Sequence, residues 1–394
     1  MVAAALALTL TVGGAAAAPS VRIVLSGWVS SPAETASLQQ AVAAFEASHP
    51  TIDVDYQPLD DYQGTMESRF AAGDPPDVFY VDSSVAPEWI ARGFLQPLQG
   101  LATSSGFDTT HFFPVLRHAF EAPNGKPYGF PKDWSPLAMF TNDTLLARAG
   151  VAAPTTWAEL RQDAIAIRSA TGVTPICLSV DWARLLAFVE ENGGSFLNDS
   201  QTDVTINSQA VRDAVDFYVG LVRDGLAALP DALGEGWCGQ AFADGKVAFA
   251  FEGTWLLPVV DAADPRPDYS THPMPSSVRR GNVAFTVAYS MSAASTHKQA
   301  AWELLSYLTG RQGMQIWTSG GVALPARDDV PTLPGRESFV GEAPISTVWS
   351  FPPGFSNVLN LANGELWSVF AGTQTSSGML AEIEAAARAA LGQS

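Results

Sequence analysis

The chain is short of positive charge: 21 Lys and Arg stand against 40 Asp and Glu in 394 residues, for a net charge of -19. A surface of that sign repels nucleic-acid phosphates and anionic lipid, so neither is expected as a partner, and its plain consequence is solubility. Histidine is scarce as well. His49, His111, His118, His272 and His297 are scattered without metal-ligand spacing, and no metal or other cofactor is expected. There is no P-loop, no H-E-x-x-H and no G-x-S-x-G. The run GEGWCG at residues 234–239 matches G-x-G-x-x-G, but it follows a Pro-containing loop instead of a strand. It therefore reads as a loop before the next helix. Internal repeats and low-complexity linkers are also missing.

Cysteine is limited to Cys177 and Cys238. In an exported chain these form one disulfide or stay as two buried thiols, and the sequence leaves both open. Long apolar runs are confined to the start, MVAAALALTLTVGGAAAAPS, where small residues suit cleavage near Ala17 or Ala18. Residues 1–18 are therefore expected to be a secretory signal peptide, although no basic n-region precedes the apolar stretch. No cysteine lies near the expected cleavage point, so a free periplasmic or secreted protein is expected and a lipid-anchored one is not. No later segment is long and apolar enough to span a bilayer.

What is present reads as globular: 47% hydrophobic and 15% charged residues, with length for two domains or one large one. VRIVLSGW, at residues 21–28, is a β-rich run. It is followed by a helix with Pro in its first turn and with Leu38, Val42 and Phe45 at helical spacing. TIDVDYQPL alternates as a strand, YQGTMESRFAAG is a second helix, and DVFYV is a buried strand. Strand, helix, strand, helix, strand is a parallel α/β unit, which gathers ligands beyond the carboxyl ends of its strands. The Pro- and Gly-dense residues 121–136 predict a β-turn followed by a crossing strand into a second domain. Beyond them, PTTWAELRQDAIAIRSATG is a capped helix, VTPICLSVDW a strand ending in Asp181-Trp182, and NSQAVRDAVDFYVGLVRDG an amphipathic helix.

Four strand exits finish in an aromatic beside a carboxylate or hydroxyl: Trp28, Asp133-Trp134, Asp181-Trp182, and Glu252 with Trp255. Each alone reads as ordinary packing. Together they combine aromatic faces, which stack on the C–H faces of sugar rings, with carboxylates, which accept from vicinal hydroxyls. The strand in FADGKVAFAFEGTW is thus expected to deliver Glu252 and Trp255 to a cleft. The adjacent acids Asp60-Asp61 and Glu190-Glu191 diverge on their elements and read as solvated faces, not a hydrolytic pair.

AFEASHPTIDVDY, FAAGDPPDVFYVDSSVAPEWIARGFLQPL, NGKPYGFPKDWSPLAMFTNDTLLARAGVAAPTTWAEL, FADGKVAFAFEGTW and KQAAWELLSYLTGRQGMQIWTSGGVALPAR occur in that order. In this they resemble the solute-binding proteins of bacterial ABC importers, the extracellular family 1 group that includes maltose-binding protein. The resemblance implies an α/β, two-lobed type II periplasmic binding protein fold with the ligand cleft between lobes. One lobe is expected over residues 21–128 plus 286–324, the other over 129–285 plus 325–394. It implies a non-catalytic carrier of a neutral mono- to trisaccharide, a monomer that delivers its ligand to permease subunits. Its site falls on Asp82, Asp133, Asp181, Trp182 and Trp255, with Trp28, Glu34 and Ser83 at the first-lobe lip. Trp317, Trp349 and Phe351 are expected to add a wall. The rivals are a carrier of another small solute (glycerophosphate, polyamine or amino acid) and a secreted glycoside hydrolase.

Overall fold

Runs of apolar residues long enough for a strand, but lacking helical spacing, decide where the sheets form. In the computed structural model, which describes residues 20–29 and 31–393, such runs and a few more polar segments make eleven strands. They are β1 (Val21–Trp28), β2 (Ile52–Leu59), β3 (Val78–Asp82), β4 (Gly129–Pro136), β5 (Ala138–Asn142), β6 (Thr174–Cys177), β7 (Ala227–Ala228), β8 (Val247–Glu252), β9 (Tyr269–His272), β10 (Asn282–Met291) and β11 (Ser346–Val348). The expected signal peptide, residues 1–18, lies outside the described residues.

The first sheet has the order β11-β10-β3-β1-β2, with β4 also bonded to β10. The second runs β7-β6-β8-β5-β9. In the first, β1 is parallel to β2 and β3, while β10 runs antiparallel to β3 and β4. In the second, β6 is parallel to β7 and β8. Strands such as β8, with all six residues buried, are the near-continuous apolar type that a sheet covered on both faces demands.

Helices cover those faces where the sequence supplies caps. The Ser31 hydroxyl accepts from the Glu34 amide at the start of helix Pro32–Ser48. Thr156 and Glu159 form a reciprocal capping box on helix Trp157–Thr171, which stops at Gly172 in the left-handed region. Helices Phe355–Phe370 and Ser376–Ala390 return to pack in the core of the second lobe. Cys177, the last residue of β6, is disulfide-bonded to Cys238 at the start of helix Cys238–Ala243, which resolves the alternative left open above. Closing a span of 61 residues contributes about 4 kcal/mol in the chain-entropy account.

Two expectations are corrected here. The Pro- and Gly-rich segment drawn as the start of the second lobe at residue 129 is β4, bonded along β10 in the first sheet, and the chain passes to the second sheet only between Pro136 and Ala138. VTPICLSVDW is not one strand: β6 stops at Cys177, and Asp181 is the N-cap of helix Trp182–Glu191, its carboxylate accepting from the Arg184 amide at 2.8 Å.

Candidate functional site

The floor of the cleft is set by strand register. Asp82 at the end of β3 and Asp133 in the middle of β4 both lie opposite Val287 of β10, one on each side. Between Pro131, opposite Ala288, and Asp133, opposite Val287, Lys132 has no partner across β10. It is the extra residue of a β-bulge, a feature that re-aims side chains. The bulge lets neighbouring side chains meet: Lys132 Nζ donates to Asp133 Oδ2 at 2.6 Å. The buried ammonium also lies 3.6 Å above the Trp317 ring, 4.4 Å from the Tyr80 ring and 3.8 Å from Glu34. The Trp317 indole donates to the same Asp133 oxygen at 2.8 Å. One face of Trp317 is thus occupied by Lys132, and Asp133 Oδ2 already has two donors.

Gly27 makes this packing possible, because a Cβ there would fall 2.6 to 2.8 Å from the Tyr80 ring. Trp28 stands edge-on to Tyr62 and Tyr80, with centroids 5.2 and 5.1 Å away. Asp82 Oδ1 accepts from the Ser84 amide and hydroxyl. Burial nevertheless pushes the Asp82 carboxyl above the usual range, and the Asp133 charge pushes the same way.

The second lobe contributes the turn after β8, in which each residue of Glu-Gly-Thr-Trp has a separate task. Glu252, 1% exposed, accepts from Arg184 at 2.8 Å and from the Trp255 indole at 3.0 Å. Burial raises the Glu252 pKa, and the Arg184 charge offsets part of that rise. For Arg184, burial disfavours the guanidinium, but Glu252 and Asp181 outweigh it and hold the pKa above its ordinary value. Gly253 leaves room for the Trp255 ring, which lies 2.2 to 2.5 Å from where a Cβ would stand. Thr254 ties the turn to the first lobe: its amide donates to Ser135 Oγ at 2.8 Å and its hydroxyl to the Val322 carbonyl at 2.9 Å. Trp255 is left half-buried, edge-on to Phe285 at 5.5 Å.

These groups enclose a cavity of ≈220 Å³ between the sheets. Of the residues expected from sequence, Trp28, Glu34, Asp82, Asp133, Trp134, Trp255 and Trp317 line it. Glu252 and Asp181 line a neighbouring cavity, with Glu252 acting as the anchor for Trp255 and Arg184. Four of the expected residues do not line either cavity. Trp182, 1% exposed, begins a helix, points into the second-lobe core and donates its indole N–H to the Ala362 carbonyl. Ser83 is fully buried and donates to the Trp349 carbonyl at 2.6 Å. Trp349 and Phe351 pack edge-on to each other at 4.7 Å within that same core.

Lys132, Arg184 and Phe285 line the central cavity without having been expected there. The signal available for Arg184 was Asp181-x-x-Arg184 at a helix start, which puts both on one helix face. A larger space of ≈580 Å³ lies apart from the cleft, beside Arg279, Arg280 and β11. Both of its arginines are paired, with Glu190 and Glu342 respectively. Among the described residues, His111, Asp328 and Asp329 form the group that comes close enough to hold a metal. Asp328 accepts from His111, however, and Asp329 is held by Arg327 through two bonds.

A family model described as a bacterial extracellular solute-binding protein matches residues 30–315. The multiple sugar-binding protein of Streptococcus mutans is 25% identical over 303 residues, 71% of this chain and 69% of its own. An ABC substrate-binding protein from Listeria monocytogenes, solved in complex with cycloalternan, superposes with a TM-score of 0.88 at 23% identity, covering 95% of this chain and 100% of that one. The GacH receptor of Streptomyces glaucescens, solved unliganded and with acarbose, superposes with a TM-score of 0.85 at 24% identity, covering 95% and 99%.

Proposed function

Because the chain belongs to the bacterial extracellular solute-binding protein family and has the two-lobed type II periplasmic binding protein fold, we propose that it is the extracytoplasmic binding component of an ABC importer. Its ligand is a neutral saccharide, taken between the lobes and handed to the permease subunits. The observation that carries this reading is the lining of the central cavity, where Trp28, Trp255 and Phe285 surround Asp82 and Asp133. Apolar faces beside carboxylate acceptors match a ring with one C–H face and a rim of hydroxyls. A phosphate-bearing solute is disfavoured, since Lys132 is satisfied by Asp133 and Arg184 by Glu252 and Asp181. The relatives' sugar ligands, oligosaccharides among them, support the same class.

Lobe closure over the ligand creates the surface that the permease recognises, and the protein acts as a monomer exported by its signal peptide. No helix among the described residues is long and apolar enough to cross a membrane. The protein does not alter its ligand. The raised Asp82 carboxyl in the same cavity as Asp133 is the feature that favours a glycoside hydrolase in the central cleft instead. A thermal-shift screen against a sugar panel, followed by product analysis of the sugars that bind, tests both readings. A raised melting midpoint with the sugar recovered intact is expected. No shift with any sugar refutes the saccharide, and cleavage that Asp82→Asn abolishes refutes the carrier.

A further inference from the structure

Trp255 stands where two demands on the backbone conflict. Its ring needs a bare Cα behind it, and Gly253 supplies one. Gly253 is also the N-cap of the 3-10 helix Thr254–Leu256, and as a glycine it has no side chain with which to cap. The first amides of a helix lack a partner within it, and a Ser, Thr, Asp or Asn at the cap ordinarily accepts from one of them. Here the missing acceptor comes from the opposite lobe. Ser135 Oγ, on β4, accepts from the Thr254 amide at 2.8 Å, and its own proton goes to the Pro136 carbonyl at 2.9 Å.

Thr254 makes a second bond in the same direction. Its hydroxyl donates to the Val322 carbonyl at 2.9 Å instead of turning back onto its own chain. The segment at Val322 is itself held on β4, since Leu324 and Trp134 exchange both amide-to-carbonyl bonds, at 3.0 and 3.1 Å. Two bonds from one fully buried residue thus reach two paired segments of the first lobe. Ser135, Val322 and Trp255 line the central cavity, and Thr254 does not. It acts only through its neighbours.

What those neighbours share is a fixed interval. Asp133 and Ser135 are alternate residues of β4, so they project from one face about 7 Å apart along the strand. Both line the cavity. Strand pairing keeps the interval, with Asp133 opposite Val287 and Ser135 opposite Phe285 of β10. Without the two Thr254 bonds, the Trp255 ring would follow β8 in any movement of the lobes. With them, the ring is referred to the strand that carries the acceptor. A stacking face at a set height over a carboxylate distinguishes sugars that differ in the direction of one hydroxyl, because the wrong direction leaves a buried polar group without its partner.

We propose that Thr254 is a positioning residue for sugar specificity: with Ser135 it fixes the spacing between the Trp255 face and the Asp133 carboxylate, and that spacing selects sugars by the orientation of their hydroxyls. The proposal rests on the saccharide reading above, and the test separates the two. Wild type, Thr254→Val and Thr254→Ser are titrated calorimetrically with glucose, galactose and mannose, and with maltose, cellobiose and lactose. Wild type should prefer the best of a set over the worst by roughly tenfold or more. Thr254→Val should shrink that ratio roughly threefold or more, and Thr254→Ser, which restores the hydroxyl, should keep it within about twofold. A second measurement needs no sugar. The indole N–H resonance of Trp255, identified by its absence from Trp255→Ala, should move in Thr254→Val and in Ser135→Ala, which removes the cap and keeps the Thr254 hydroxyl. It should return in Thr254→Ser. A resonance unmoved in both variants, a wild type without preference, or a Thr254→Val that weakens every sugar by the same factor overturns the positioning role and leaves the saccharide reading standing. Failure of wild type to bind any of these sugars, or any sugar of the screening panel, overturns both.

Discussion

Gly253→Ala isolates the Trp255 ring without touching it. The glycine has φ -85° and ψ -174°, extended backbone that any residue adopts, so alanine brings no backbone strain. What alanine brings is a methyl group 2.2 to 2.5 Å from three atoms of the ring. Non-bonded carbons rest about 3.5–4.0 Å apart, so the indole must retreat by about 1 Å or more. Its hydrogen bond to Glu252, now 3.0 Å, is lost in that movement. A bond to a charged acceptor is worth about 1.5–3 kcal/mol, and the restricted unfolded chain returns about 0.4–1 kcal/mol, leaving a stability loss of about 1–2 kcal/mol. Ligand affinity should fall by about 1–2 kcal/mol, or roughly five- to thirtyfold, as the displaced face no longer meets the ring.

Calorimetric titration of Gly253→Ala, Trp255→Ala and the double variant, with melts of each unliganded protein, measures these terms. Once the indole is gone, the added methyl has nothing to displace. The double variant should therefore match Trp255→Ala to within about 0.5 kcal/mol. Unchanged affinity in Gly253→Ala would remove Trp255 from the site. A further loss from Gly253→Ala in the Trp255→Ala background would show that the glycine acts through the backbone, and the account of the turn would be wrong.

Asp133→Asn should cost stability as well as affinity, up to about 3–5 kcal/mol less what Glu34 still supplies, because it leaves the Lys132 ammonium buried without its nearest counter-charge. Adding Lys132→Met should recover much of that loss in urea unfolding, and a double variant no more stable than Asp133→Asn would refute the pairing. Glu191 is fully buried with one oxygen unpartnered and the other accepting from the Trp157 indole at 2.6 Å. Burial, opposed by that bond and reinforced by the Glu342 charge, pushes its pKa well above the ordinary 4.5. The folded state then holds this proton more tightly than the unfolded chain, so stability is full below 4.5 and declines as pH rises through the raised value. Glu191→Gln should match wild type in acid and become progressively more stable toward neutral pH. Parallel pH profiles in chemical denaturation would refute it.

Most strands and helices were legible because their apolar spacing and caps are local: VRIVLSGW is β1 residue for residue, and the capped helix read in PTTWAELRQDAIAIRSATG is capped by a threonine, Thr156. The crossing strand was legible and is β4, but the sheet it joins is set by long-range pairing with β10, which no local pattern carries; β4 accommodates Pro131 beside its bulge, where a ladder bond is already interrupted. The same bulge hid Lys132. In regular alternation it and Asp133 point to opposite faces, so no local pattern predicts that they meet. Trp182 was misread for a different reason: an Asp-Trp pair after a strand looks alike whether it ends that strand or caps the next helix. The apolar run LLAFV that follows favoured the helix.

Two of the cavity-lining tryptophans are held by a device visible in the sequence, a glycine two residues away. Of the eleven tryptophans, Trp237 and Trp255 are the two whose rings would meet a Cβ built on a described glycine, Gly239 and Gly253 respectively. Trp28, Trp134, Trp317 and Trp367 also line cavities and have no glycine two positions away, so the pattern marks one way of holding a wall indole and does not divide cleft from core. A core indole is held by side chains on every side, whereas an indole at a cavity wall needs support on the face turned away from the cavity. Folding the ring onto a bare Cα supplies that support and leaves the opposite face open. Only the two χ torsions then need fixing, so a platform of this kind is ordered at small entropic cost before any ligand arrives. In Trp255 the support is completed by the bond to Glu252, in Trp237 by the disulfide at the next residue. Two different anchors thus serve one local device, on adjoining cavities that share Arg184 as their common wall.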